Sequence, residues 1–128
     1  MAASVLLASS GCSLGGDDEP KPASGPPAQI AATVDRLERA VVTRDYETVC
    51  DRLFTVQARK RAGGAECARQ LRSDTDGVKK PSIEIQAIDV KGNRATVRVW
   101  TRAQGQARVS DELRMRRKGG RWLVEALG

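Results

Sequence analysis

The chain contains no histidine, and that absence excludes more chemistry than any residue present suggests. A cysteine nucleophile would lack its imidazole partner, and two lone cysteines do not complete a tetrahedral metal shell. No glycine-rich phosphate loop and no acidic metal cluster stands in the sequence, so neither a metal nor any other cofactor is expected. Aromatic residues are nearly as scarce, with one Phe, one Tyr and two Trp, and none is interleaved with basic residues. Stacking platforms for bases are therefore missing, and nucleic acid is not an expected partner. No stretch approaches the ~20 consecutive apolar residues of a membrane-spanning helix.

Positive charge is what the chain has in excess. Its formal net charge is +6, although residues 1–27 hold one lysine against Asp17, Asp18 and Glu19. The excess lies further on, mostly as arginine, in Arg59-Lys60-Arg61 and in Arg114, Arg116, Arg117, Lys118 and Arg121. A field of one sign draws anions, and the partners in view are anionic lipid headgroups or acidic wall polymers. A solvated basic face without a ligand is the alternative, since an arginine- and alanine-rich composition needs no binding role.

At the N-terminus, Leu6-Leu7-Ala8-Ser9-Ser10-Gly11-Cys12 sets small residues and a cysteine behind a short apolar run. This resembles a bacterial lipobox, in which cleavage precedes the cysteine and its thiol takes a diacylglycerol. Met1 to Ala8 carries no Lys or Arg, so residues 1–11 read as part of a lipoprotein signal segment. Residues 12–27 are rich in Gly, Pro, Ser and acidic side chains and nearly devoid of large apolar ones. They are expected to form a lipidated, disordered tether at the extracytoplasmic face of the cell membrane. A cytoplasmic tail with a chance cysteine is the competing reading. Residues 28–128 are the size of a single domain.

Cys50 and Cys67 form an even pair, which outside the cytoplasm favours a disulfide over two buried thiols. Ile30, Val34, Leu37 and Val41 recur at helical spacing, predicting an amphipathic helix over residues 28–44. Asp45 reads as the N-cap of a second helix bearing Tyr46, Val49, Cys50 and Leu53. Phe54 to Arg61 is expected to continue as a helical turn, Gly63-Gly64 to break it, and a third helix to run from about Cys67 to Ser73.

After Pro81 the period falls to two. Ile83 and Ile85 alternate on one parity, Ile88 and Val90 on the other, so a bulge is expected near Ala87. Lys91-Gly92-Asn93-Arg94 reads as a tight turn. Ala95, Val97 and Val99 then oppose Arg98 and Trp100, Val109, Asp111, Leu113 and Met115 oppose Arg114 and Arg116, and Trp122, Val124 and Ala126 share the last strand's inner side. Four hairpin-joined strands give an antiparallel meander, with helices on one face and arginines on the other.

Helices followed by a bulged meander that closes on Gly119-Gly120-Arg121-Trp122-Leu123-Val124 resemble the nuclear transport factor 2-like (NTF2-like) superfamily, in particular its small secreted SnoaL-like and ketosteroid-isomerase-like members. The resemblance spans residues 28–127 and implies an α+β cone whose curved sheet wraps a pocket. Some members are isomerases or lyases, and many are non-catalytic binding domains. Catalytic members use an Asp-His pair, which this chain lacks, or a carboxylate base opposed by a Tyr and a second acid. For the second arrangement the candidates are Asp111 and Tyr46. A buried Asp111 would act as base; the alternatives are an Asp111 paired with an arginine and a Tyr46 that packs between helices with its hydroxyl at the surface. Trp100, Arg98, Arg114 and Arg116 mark a surface for a ligand or a partner, including a second copy of the chain. The reading is thus a binding or accessory domain, with a small-molecule isomerase or lyase as the alternative.

Overall fold

The computed structural model describes residues 25–128. Cys12 and the signal and tether segments up to residue 24 lie outside the described residues. Helix α1 (Pro26–Val42) begins two residues before the expected start at Ala28. Its opening prolines cost nothing there, because the first amides of a helix have no intrahelical partner. It also stops earlier than Arg44. Arg44 turns left-handed at φ 59°, and the amide of Asp45 closes the helix on the carbonyl of Ala40 at 2.8 Å.

Asp45 caps the next helix, accepting from the Thr48 amide at 3.3 Å. This helix, α2 (Tyr46–Thr48), widens at once into a π-helical turn, Val49–Leu53. Phe54 does not continue it. The residue is extended, pairs with Val124 in a parallel bridge, and lets the Thr55 amide donate to the Val124 carbonyl at 2.9 Å. Helix α3 (Val56–Arg61) therefore starts late, with the Thr55 hydroxyl accepting from the Ala58 amide. Gly63, at φ 119°, then breaks the chain before α4 (Cys67–Asp74). The Cys50–Cys67 disulfide, with Cα atoms 6.1 Å apart, ties α4 to the π turn.

Strands β1 (Ser82–Lys91), β2 (Arg94–Arg102), β3 (Val109–Lys118) and β4 (Arg121–Leu127) form a meander in sequence order, all pairs antiparallel. The β1 bulge falls at Gln86, between Ile85 opposite Val99 and Ala87 opposite Arg98. It returns Ile88 and Val90 to the face already held by Ile83 and Ile85, so all four pack against the core. A second bulge, not expected from the sequence, lies at Glu125: Met115 pairs with Val124 but Arg114 pairs with Ala126. It corrects the reading of β4, because Ala126 leaves the side of Trp122 and Val124 and joins Arg114 outside, while Leu127 moves inside opposite Leu113.

The core lies between the inner sheet face and α1. Ile30, Val97, Val99 and Val124 are wholly inaccessible, and Trp122, in phase with Val124, is buried with them. The α1 carboxylate of Glu38 accepts from the Ile83 amide at 2.7 Å, fastening the helix to the edge strand. Across the far end, the Thr33 hydroxyl donates to the Trp122 carbonyl at 3.2 Å. This is the α+β architecture expected, with helices on one face of a curved four-stranded meander and the opposite face open to solvent.

Candidate functional site

Near the end of α1 a cavity of about 360 Å³ opens between the helices and the sheet. Leu37 and Val41 from α1, Val49 from the π turn, the extended Phe54 after it, Leu71 from α4, and Ile83, Val99 and Leu113 from the sheet make its wall predominantly apolar. The two bulges curve the sheet around it, and the second brings Leu127 to its rim, where that side chain is 59% exposed.

Both candidate catalytic residues, Asp111 and Tyr46, line this cavity. Their environments differ from those the enzymatic reading requires. Asp111 is exposed at the rim rather than buried. Nor is it paired with an arginine; it accepts a hydrogen bond from the Thr101 hydroxyl at 3.0 Å. Tyr46 is 2% exposed, and its hydroxyl does not reach the surface. It meets the Thr75 hydroxyl at 2.6 Å, and Thr75 in turn donates to the Leu71 carbonyl at 2.8 Å. A hydroxyl has one proton, so satisfying both contacts makes Tyr46 the donor to Thr75. The phenolic proton is spent within the protein and is not presented to a ligand. Arg44 and Arg72 flank the Tyr46 ring, with guanidinium carbons 5.9 and 5.8 Å from its centroid.

Trp100, Arg98 and Arg114 lie on the outer sheet face, behind the cavity and not in it. Arg98 stands opposite Glu112, and Arg114 opposite Thr96 and Ala126. Arg116 shares this face but is engaged, its Nε 3.1 Å from a Glu125 carboxylate oxygen. Trp100 is half-buried because Arg108 folds back over its ring at 4.1 Å. No group of three or more potential metal ligands occurs among the described residues.

Sequence reasoning missed Thr101, Thr75 and Arg108. The first was within reach, since Thr101 continues the inner parity of Ala95, Val97 and Val99. Thr75 and Arg108 lie beyond regular elements, where no periodicity points a side chain.

This geometry has solved counterparts. An NTF2-like protein of unknown function from Silicibacter pomeroyi shares 20% identity, with 79% of this chain and 91% of that one covered and a TM-score of 0.58. The fold is NTF2-like. An NTF2-like protein of unknown function from Shewanella baltica matches over 77% of this chain and 87% of its own at 15% identity, with a TM-score of 0.55. A de novo designed NTF2 fold protein gives a TM-score of 0.57 at 14% identity, covering 82% of this chain and 85% of that one. No protein-family model and no curated protein matches the sequence. At these identities the likeness concerns the NTF2-like backbone, a cone with its pocket, and says nothing of what enters it.

Proposed function

We propose that the chain is a lipid-anchored, extracytoplasmic binding or accessory domain that holds a small, largely apolar ligand in the cone without transforming it. The observation that carries this reading is the cavity itself: its volume falls within the ~300–1,000 Å³ of ordinary ligand pockets, its wall is predominantly apolar, and Tyr46 and Asp111 are each engaged by a neighbouring threonine. Lipidation at Cys12 sets the location, supported by the lipobox-like residues before it and the polar segment after it. The disulfide is consistent with an oxidising compartment. Within the NTF2-like fold, helices leading into a bulged meander fit the SnoaL-like and ketosteroid-isomerase-like secreted group. A second copy packing on the outer sheet face, around Trp100, is part of the same proposal.

Titration with an apolar fluorescent probe tests the pocket. The wild type is expected to bind, and Val41→Trp, which places an indole in the cavity mouth, is expected to weaken binding at least about tenfold. A wild type without binding, or a Val41→Trp variant that binds equally, removes the proposal. For the anchor, the test is intact mass of membrane and soluble fractions before and after reduction; an unprocessed soluble chain with three free thiols defeats it. The isomerase or lyase reading keeps one observation in its favour, the presence of Asp111 and Tyr46 in one cavity. Any turnover that survives Asp111→Asn would dispose of that pair.

A further inference from the structure

The end of the cone opposite the cavity mouth carries a cluster of exposed cations. Three parts of the chain meet there. The Arg117 amide donates to the Asn93 carbonyl at 2.8 Å, joining the β1–β2 and β3–β4 turns, and the Thr33–Trp122 hydrogen bond sets the first turns of α1 beside them. Arg36, Arg52, Arg94, Arg117, Lys118 and Arg121 are all exposed at this pole, and among the described residues none of them forms an ion pair. Asp89, which lies near the β1–β2 turn, is already 4.0 Å from Lys91. By contrast, Asp45, Asp74, Asp76, Glu84 and Asp111 each line the cavity or adjoin a residue that does. Cations stand at both ends of the cone, but Asp35 and Asp51, beside Arg36 and Arg52, are paired with Arg39 and Arg59, so the cations of this pole are left without carboxylate partners. At the basic pole, Arg36, Arg52 and Arg121 surround a cleft of about 210 Å³ that also contains Gln29, Thr33 and Gly120, with no carboxylate in its wall.

The chain enters the domain at this same pole, since α1 starts at Pro26 and Gln29 already lines the cleft. From Cys12 to Pro26 the chain spans at most about 50 Å when fully extended. An anchor at Cys12 therefore keeps the basic pole near the bilayer, within a distance where weak attraction suffices. We infer that this pole is a docking surface for an anionic phospholipid bilayer, with a headgroup phosphate received in the Arg36–Arg52–Arg121 cleft. The inference builds on the reading of Cys12 as the anchor and adds an orientation to it: the pole rests on the headgroups and the cavity mouth faces away. Guanidinium groups suit the task, because their planar fork matches phosphate oxygens.

The test uses the full chain carrying Cys12→Ser, so that no acyl group contributes, in co-sedimentation with vesicles of phosphatidylcholine alone or mixed with phosphatidylglycerol. Binding is expected only to the anionic vesicles and is expected to fall as salt is added. Each cation near such a surface contributes about fivefold in affinity, so Arg52, Arg117, Lys118 and Arg121 replaced together by Ser are expected to cost at least about tenfold. Lys79, Lys80, Arg102 and Arg108 replaced by Ser remove the same charge near the other end and are expected to leave binding within about twofold. All eight side chains are exposed, so both variants are expected to stay folded, the second with a small drop in melting temperature from the lost Arg108–Trp100 stack. Equal losses in the two variants would mean that only net charge matters and would overturn the surface, as would equal binding to neutral vesicles. Pole-dependent binding by a chain whose Cys12 proves unmodified in the cell would remove the anchor and leave the docking surface standing.

Discussion

Tyr46 shows how one hydrogen bond separates a binding pocket from a catalytic one. Its proton goes to Thr75, and Thr75 passes its own to Leu71, so the helix end of the cavity is closed to further donation. Tyr46→Phe is expected to cost about 1 kcal/mol in urea unfolding while leaving probe affinity within about twofold. A large loss of affinity without loss of stability would return Tyr46 to the ligand. Glu47, next along the chain, governs an acid-sensitive contact. Arg72 donates to it at 3.0 and 3.2 Å and holds its carboxyl below the ordinary value of 4.5. The folded state binds that proton less readily than the unfolded one, so the stabilisation is present above about 4.5 and lost as pH falls through the lower folded value. Arg72→Met is expected to narrow its stability gap to wild type as the solution is taken from neutral to below that range, and unfolding midpoints at several pH values measure it. None of this was readable beforehand, because Thr75 and Arg72 reach Tyr46 and Glu47 only through the fold.

At the scale of elements, the apolar periods were the legible part. Spacings of three and four located α1 and α4, and alternation located all four strands together with the parity change that became the Gln86 bulge. The departures have local causes. Helix ends moved because proline is tolerated in a first turn and Arg44 accepts a left-handed backbone. Phe54 left the helix because the amide that follows it, that of Thr55, bonds to a strand that lies far along the chain. The Glu125 bulge went unseen because Trp122, Val124 and Ala126 alternate as an unbroken strand would, and only pairing with β3 shows the slip. The disulfide holds the short helices in register with each other. Its closed loop, with cysteines 17 residues apart, is worth about 3 kcal/mol. Reduction is therefore expected to lower the melting temperature by roughly 10–20 °C for a domain of this size, as calorimetry with and without reductant would read.

For the molecule as a whole, charge decides between two kinds of association. A twofold packing of the outer sheet face on itself would bring Arg94, Arg98 and Arg114 toward their own copies, with Glu112 as partial complement. Such a dimer is expected to tighten as salt is added, the opposite of docking on an anionic bilayer. Light scattering over a concentration series at low and high salt separates them, and a constant monomer mass removes the dimer. The composition announced the excess charge but not the cluster of unpaired cations at one pole, which arises only when the turns and the start of α1 converge. That convergence has another consequence. The Thr33–Trp122 hydrogen bond joins residues 89 apart, and the Phe54–Val124 bridge is similarly remote. A chain delivered end-first, from a ribosome or through a narrow pore, can make neither until its last strand has emerged. Its first helix must wait with an uncovered apolar face, so the domain matures in one late, concerted step and stays threadable until then.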